Sequence, residues 1–499
     1  MKKIFKIAST LCILTLMGSA LAACGSSNNS ASSTNEPSNN STSTEAAGKK
    51  DIPTLVWWQI GNTPLPANFS KAIDKMNEYT AEKIGVKVDL RVASWGEWDT
   101  KMNTIVNTGE PFDMMFTNNT KYSKQVSMGA LTDITDLVQS EAPDLYKLIP
   151  SEVWDGTKIG GKYYAVPTYK DSSVSQYWSY DDKLVQKYNI DYQNITSMQD
   201  LDKPLHDIKA GEGKSFYPLR LIQSEAFSGM FNNYDDLTLG FFPVGVKVDD
   251  PSRKVISVFE QPDVMANLKL LHKWYQDGII NPDAPTKTEK EKYNPFGTQQ
   301  AFPGAEIAMQ INAGVEKFVM NKTFGPLYTT STIQGSLNAI SANSKYKKEA
   351  LKYLQLVNTD SKLRNMLAFG EEDVDFKYVD GKDNVIERTS DTWPLAAYSQ
   401  GTFFNMAITK GAPEDQWDQV KKLNEQAVAS TVLGFALDIS EIQTEVANAQ
   451  STFDKYKYEL LTGASDPEKI VPKMLAELKK AGMDKIIQKA QEEIDNYFK

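Results

Sequence analysis

Residues 55–58, Leu55-Val56-Trp57-Trp58, form a short apolar run closed by Gly61, Pro64 and Pro66, which predicts a strand and its exit loop. Across 68–83, Phe69, Ile73 and Met76 recur at helical spacing, with Ile84 continuing the series. Residues 86–92 alternate with period two, 97–107 are helix-like again, and Asp113-Met114-Met115-Phe116 reads as a buried strand. The order β-α-β-α-β predicts an α/β fold with a parallel sheet covered by helices, and ligands at the carboxyl ends of the strands. Those ends are 58–62, 93–95 and 117–119.

Farther along, Trp154-Asp155-Gly156 and the glycines 160 and 161 flank an aromatic strand, so a hairpin is expected there. Two further hairpins are expected over 246–259, around Asp250-Pro251, and over 376–388, around Asp380-Gly381. Asp373, Asp375, Asp380 and Asp383 lack the alternating spacing of a calcium loop and read as a solvated hairpin. Over 466–499, Ile470, Met474, Leu478, Ile486, Ile487 and Ile494 lie near helical spacing. The polar residues between them mix both signs, which favours packing on the body over a membrane-surface helix.

The amino terminus has a different pattern. Lys2, Lys3 and Lys6 precede an apolar run over 7–23 that closes on Leu21-Ala22-Ala23-Cys24. A charged start, an apolar segment short of the ~20 residues that span a bilayer, and small residues before the cut describe a secretion signal, 1–23, with a lipobox. The segment resembles bacterial lipoprotein signals, which implies Cys24 as the lipidation site, the alternative being an ordinary signal followed by a free cysteine. Residues 25–50 are Ser, Asn, Thr, Gly and Ala with almost no large apolar side chain, a composition that cannot offset its conformational entropy. They are expected to be a flexible tether reaching about 25–30 Å.

Composition narrows the function classes. About 450 residues remain after the tether, enough for two lobes. Both cysteines, Cys12 and Cys24, belong to the signal region, so disulfides and thiol catalysis are not expected in the body. The formal charge of -10, or -13 once the three signal lysines are removed, makes nucleic acid an unsuitable partner. The two histidines, His206 and His272, have no metal-ligand spacing, and there is no phosphate loop or dinucleotide fingerprint. No metal or cofactor is expected. A carboxylate-pair glycosidase needs only two acids at a set separation, so composition leaves that enzyme class open, but no glycosidase signature appears.

Several segments together resemble the family 1 extracellular solute-binding proteins. Pro111-Phe112-Asp113-Met114-Met115-Phe116-Thr117 with Gly129-Ala130-Leu131-Thr132-Asp133-Ile134 resembles the family's first-lobe strand and the segment after it. Gly160-Gly161-Lys162-Tyr163-Tyr164-Ala165-Val166-Pro167 resembles its crossover into the second lobe. Ala308-Met309-Gln310-Ile311-Asn312 resembles a family strand, and 337–345, Leu337 to Lys345, a further element. From Thr431 onward, including 434–438 and 444–448, the chain resembles an uncharacterised carboxyl-terminal domain of a subset of these lipoproteins.

The resemblance implies a two-lobed periplasmic-binding-protein-like fold of type II, each lobe a sheet flanked by helices and the ligand cleft between them. The first lobe is expected over 51–168 and 328–375, the second over 169–327 and 376–499. The implied function is that of a lipid-anchored substrate-binding component of an ABC importer on the outer face of the cytoplasmic membrane. It is expected to act as a monomer, to take a carbohydrate by hinge closure and to hand it to permease subunits. Import of a peptide or sugar acid, and sensing for a membrane kinase, are the alternatives.

A sugar site needs aromatic plates beside amide, hydroxyl and carboxylate groups. The strand ends offer Trp58, Gln59, Asn62, Trp95, Thr117 and Asn118, and the crossover offers Tyr169, Lys170 and Asp171. By resemblance, Asp171 aligns with an acidic residue that contacts sugar in the maltose-binding member of the family. Thr117 and Val315 align where that member has stacking tryptophans, so maltodextrin is not implied. Asn312, expected just after a strand through Met309, and Trp393 and Phe404 complete the candidates. Of Trp57 and Trp58 one is expected to face the cleft, Trp58 being chosen. A neutral sugar would leave a buried Lys170 or Lys121 in need of an acid partner.

Overall fold

The computed structural model describes residues 51–223, 227, 229–240 and 243–499. The expected signal, Cys24 and the tether lie outside these residues. The strand Thr54–Ile60 pairs in parallel with Lys87–Ala93, from Thr54 opposite Lys87 to Ile60 opposite Ala93, and with Met114–Thr117 on its other side. The helices Phe69–Ile84 and Trp95–Thr108 are the two crossovers, giving the β-α-β-α-β order that periodicity predicts. Leu337–Ile340 then pairs antiparallel with Met114–Thr117, and Ala165–Pro167 pairs antiparallel with Leu337–Ile340. This five-stranded sheet is parallel only where the sequence alternates strand and helix; Leu337–Ile340 runs the other way because it returns from the second lobe.

Both faces of the central strand are covered. Leu55 and Trp57 pack with Met76, Leu351 and Leu354, whereas Trp58 and Ile60 pack with Trp98, Met102 and Ile105. Burial of such side chains is worth about 1.5–3 kcal/mol each.

The second sheet has the order Phe296–Gln300, Val174–Asp181, Phe318–Tyr328, Val428–Ala429. Its core holds Trp178, Phe227, Trp274 and Phe296. The carboxyl-terminal helices Gln443–Leu461, Pro467–Ala481 and Met483–Tyr497 add Phe453, Met474, Leu478, Ile486 and Ile494 to that core. Phe453 meets Phe259 with ring centroids 5.5 Å apart. This segment therefore packs on the body, as its mixed charges predict.

Three expected hairpins form: Lys158–Ile159 with Lys162–Tyr163, Val244–Lys247 with Val255–Ser257, and Phe376–Tyr378 with Val385–Arg388. Two readings are corrected. The stretch around Met309 is the helix Glu306–Asn312, not a strand; Met309 is buried on one side and Ile311 is 63% exposed on another. The sheet Phe376–Tyr378, Val385–Arg388, Ile408–Thr409 shares an apolar cluster with Ala368 and Phe369 of the helix Ser361–Phe369. Trp393 and Leu395 likewise join the first-lobe core, so packing carries 376–409 to the first lobe instead of the second.

The chain passes between the two sheets at 168–173, at 329–336 and again at 410–427. Thr168 bonds Ser336 through both its backbone N–H, at 3.1 Å, and its hydroxyl, at 3.0 Å, which fastens the first two crossings together. On the third, the helix Gln416–Glu425 presents Asn424, whose Nδ2 donates to the Lys170 carbonyl at 2.6 Å and whose Oδ1 accepts from Ser173.

Candidate functional site

A cavity of about 490 Å³ opens where the end of the first strand, the helix Glu306–Asn312 and the 388–417 segment converge. That volume is ordinary for a small-molecule site. From the first strand and its neighbour come Gly61, Asn62 and Trp95; from the second lobe come Phe302, Ile311 and Asn312. Gly61 is required by close approach, since a Cβ there would lie 2.5 Å from the Pro394 carbonyl. The Asn62 N–H donates to that carbonyl at 2.8 Å, so the 393–396 chain lies directly along the strand end.

The walls are aromatic. Trp95 starts its helix, is 55% exposed and rests edge-on against Phe116 with centroids 6.0 Å apart. Tyr398 lies beside it: burial pushes its phenol up, and a hydrogen bond from the Trp95 side chain pulls the other way. Opposite, Trp417 packs on Phe302 at 5.8 Å and on Phe403 at 5.1 Å, and its indole N–H donates to the Met406 carbonyl at 2.7 Å. The loop before the helix Glu306–Asn312 turns at Gly304, whose φ is +89° and whose Cβ would sit 2.6 Å from Gln416 Nε2; Gln416 in turn donates to the Pro303 carbonyl at 3.0 Å. Trp393 is 4% exposed, donates to the Leu367 carbonyl at 2.9 Å and packs on Phe69, so it contributes an edge to the cavity while anchoring the loop.

Asn312 also borders a second hollow of about 450 Å³ lined by Arg220, Glu291, Asn294, Thr298 and Gln299. Here Arg220 is paired with Glu291 and donates to the Tyr293 carbonyl at 3.1 Å. The two hollows therefore meet at one amide side chain.

Of the residues singled out from sequence, Asn62, Trp95, Asn312 and Trp393 line the first cavity. The others do not. Trp58 is 6% exposed and lies inside the first lobe, with Arg91 and Lys101 over its ring at 5.7 and 5.3 Å. Gln59 is fully buried, bonded to Asn338 and Ser399. Thr117 is buried and donates to Gln125 at 2.6 Å; Asn118 accepts from the Thr120 N–H and hydroxyl. Tyr169 meets Phe404 edge-on at 4.6 Å, burial raising its phenol, and both serve the crossing region. Lys170 and Asp171 pair with each other at 2.7 Å, and Asp171 also accepts from Gln300 at 3.1 Å. Lys121 has its acid partner in Asp99 at 2.9 Å. The sequence reading missed Phe302, Arg388, Asp391, Tyr398, Gln416 and Trp417. The aromatic-Pro-Gly turn at Phe302-Pro303-Gly304 is an available signal for the first of these.

The described residues contain no group of three or more His, Cys, Asp or Glu able to hold a metal ion, and no helix long and apolar enough to cross a membrane.

Comparison with known proteins bears on the family and the fold. Residues 62–362 match the family described as bacterial extracellular solute-binding protein, and residues 431–499 match a domain of unknown function, DUF3502. A carbohydrate ABC transporter substrate-binding protein of Streptococcus pneumoniae serotype 4 is 27% identical over 516 residues, covering 100% of this chain and 99% of that protein. The crystal structure of the N-glycan transport solute binding protein from Streptococcus pneumoniae superposes with a TM-score of 0.80 at 26% identity, over 89% of this chain and 99% of that one. Its complex with Man5GlcNAc gives a TM-score of 0.73 at 26% identity, over 89% and 98% of the two chains. An HMO-binding solute binding protein from Bifidobacterium longum infantis, at 14% identity and TM-score 0.59 over 90% of this chain and 99% of that one, shares the fold.

Proposed function

The chain belongs to the bacterial extracellular solute-binding proteins, and on that premise we propose that it captures an oligosaccharide between its lobes and presents it to the permease of an ABC importer. The observation that carries the sugar reading is the cavity itself: Trp95, Tyr398, Phe302 and Trp417 supply flat apolar walls, and Asn62, Asn312 and Gln416 supply amides at their edges. Sugar rings have apolar C–H faces and hydroxyl rims, so this combination matches both parts of the ligand. Its relatives include one N-glycan transport solute binding protein solved in complex with Man1GlcNAc and with Man5GlcNAc. Lys170 and Lys121 have acid partners within the protein and do not call for an anionic ligand.

Closure follows from differential affinity: a ligand held by Trp95 on one side and the helix Glu306–Asn312 on the other stabilises the closed form only. In this reading the protein works as a monomer, with its lobes divided near the crossings at 168–173, 329–336 and 410–427. Cys24, diacylated, holds it on the outer face of the cytoplasmic membrane, two chains being enough for stable anchoring.

A thermal-shift screen against oligosaccharides, sugar acids and peptides tests the reading. A ligand at ~100 times its Kd stabilises the fold by about 2.7 kcal/mol. Stabilisation by a saccharide class, with the sugar recovered unchanged, supports it; stabilisation by peptides alone refutes it.

A further inference from the structure

Twenty-four residues line the inter-lobe cavity, and just two of them carry a formal charge, Arg388 and Asp391. Both are exposed. Among the described residues neither takes part in an ion pair, whereas Lys170, Lys121 and Arg220 near the cleft are all paired. Burial of the guanidinium acts most strongly on Arg388 and lowers its pKa, and two carboxylates, Asp391 and Asp375, act against it. Asp375 is buried and occupied, accepting from Asn68 Nδ2 at 3.0 and 3.1 Å and from the Glu371 N–H at 2.9 Å. Asp391 is therefore the carboxylate left to a ligand.

The pair is also held in place. Arg388 ends the strand Val385–Arg388, opposite Phe376, with its guanidinium carbon 5.6 Å from the centre of the Phe369 ring. The cation rests over that ring. Asp391 follows three residues later in a turn closed by Ser390 and Thr392, whose hydroxyls lie 2.6 Å apart, and the buried Trp393 fastens the end of the turn.

We infer that Arg388 and Asp391 are specificity-determining residues that read adjacent hydroxyls of a neutral sugar and discriminate against acidic ones. This deepens the oligosaccharide reading and rests on it. Arg388 has donors only and Asp391, ionised, acceptors only, whereas a hydroxyl both donates and accepts. Two neighbouring hydroxyls satisfy both groups at once. A uronate or sialate would satisfy Arg388 but bring its carboxylate toward Asp391, and an ammonium would satisfy Asp391 but face Arg388; a like charge left opposed in a confined site is a direct penalty on the wrong ligand. The aromatic residues that line the same cavity favour a ring over an extended peptide.

The test is titration calorimetry of wild type, D391N and R388Q with neutral Man1GlcNAc, Man5GlcNAc and maltotriose, a uronic acid trisaccharide and a tripeptide. Circular dichroism melts confirm that each variant is folded, as expected for two exposed positions. The inference expects wild type to bind a neutral probe and not the uronate. It expects each variant to lose at least tenfold in affinity for that neutral probe, and D391N alone to gain measurable uronate binding. Unchanged neutral-sugar affinity in both variants overturns the role of the pair while leaving the oligosaccharide reading standing. Wild-type preference for the uronate overturns the discrimination. Binding of the tripeptide and of no sugar overturns the oligosaccharide reading and this inference with it.

Discussion

The side-chain amide of Gln59 donates to Oδ1 of Asn338 at 2.9 Å, joining the first strand to one 279 positions later in the chain. The Trp57 indole shares that oxygen at 3.2 Å, Ser399 donates to Gln59 Oε1 at 2.6 Å, and Asn338 Nδ2 donates to the carbonyls of Ser399 and Gln400. All of these groups are buried, and the loop they fix is the one that carries Tyr398 into the cavity.

Gln59→Leu leaves acceptors and donors of this cluster unpaired and is expected to destabilise the protein by about 2–4 kcal/mol. Urea denaturation measures it. Asn338→Ala is expected to fall in the same range, and the double variant to lose less than the sum of the two because the residues share one network.

Arg364 acts on the same loop. It is fully buried, donating to the carbonyls of Thr402 and Ala397, both at 2.7 Å, and to Gln400 Oε1 at 3.0 Å. Arg364→Ala is expected to cost about 3–5 kcal/mol by leaving buried acceptors unpaired. Arg364→Lys is expected to recover only part of it, because an ammonium cannot reproduce the planar fork. Both values come from equilibrium unfolding.

Trp58 and Trp95 separate core from plate. Trp58→Ala removes a buried ring and is expected to lower stability by about 3–5 kcal/mol. Trp95→Ala, at an exposed site, is expected to change stability by no more than about 1 kcal/mol but to weaken oligosaccharide binding at least tenfold, about 1.4 kcal/mol. Unfolding and calorimetric titration of both variants give the two columns of that comparison.

Those two tryptophans also show how far the sequence could be read. The β-α-β-α-β order was legible because periodicity is local, and the terminal helices were legible because Met474, Leu478, Ile486 and Ile494 repeat at helical spacing. Alternation places Trp57 and Trp58 on opposite faces of a strand, but helices cover both faces of this sheet, so neither indole reaches the cleft. The same reason removes Gln59 and Thr117. Around Met309 the strand is implied only by the family resemblance, and the residues instead form the helix Glu306–Asn312. Arg388, Asp391 and Trp417 reach the cavity from a strand end, a turn and a helix start more than 290 residues after Trp95, a juxtaposition that no local pattern encodes.

Asp235 gives a pH dependence. Burial, with Asp236 adding to it, pushes its carboxyl up to about 6, above the ordinary 3.8. A carboxyl whose folded value is raised binds its proton more tightly in the folded state, so its contribution is fully present below pH 3.8 and is lost as pH rises through 6. Asp235→Asn is expected to remove that slope and to raise stability at pH 7 by up to about 3 kcal/mol, at 1.36 kcal/mol per unit. Melting temperatures of wild type and variant between pH 4 and 8 check it: the curves converge at low pH and diverge at high pH.

The proposed anchor has a cellular readout. Cys24→Ala is expected to abolish labelling by radioactive palmitate and to release the protein into the medium, as fractionation of expressing cells would show.

The central claim, one oligosaccharide held between the lobes against Trp95, is tested most directly by isothermal titration of the protein with neutral N-glycan fragments, side by side with Trp95→Ala. The account predicts saturable binding at one ligand per chain, sugar recovered intact, and affinity reduced at least tenfold in the variant. Absence of saturable heat with every saccharide, equal affinity in the variant, or cleavage of the sugar during the titration would contradict it.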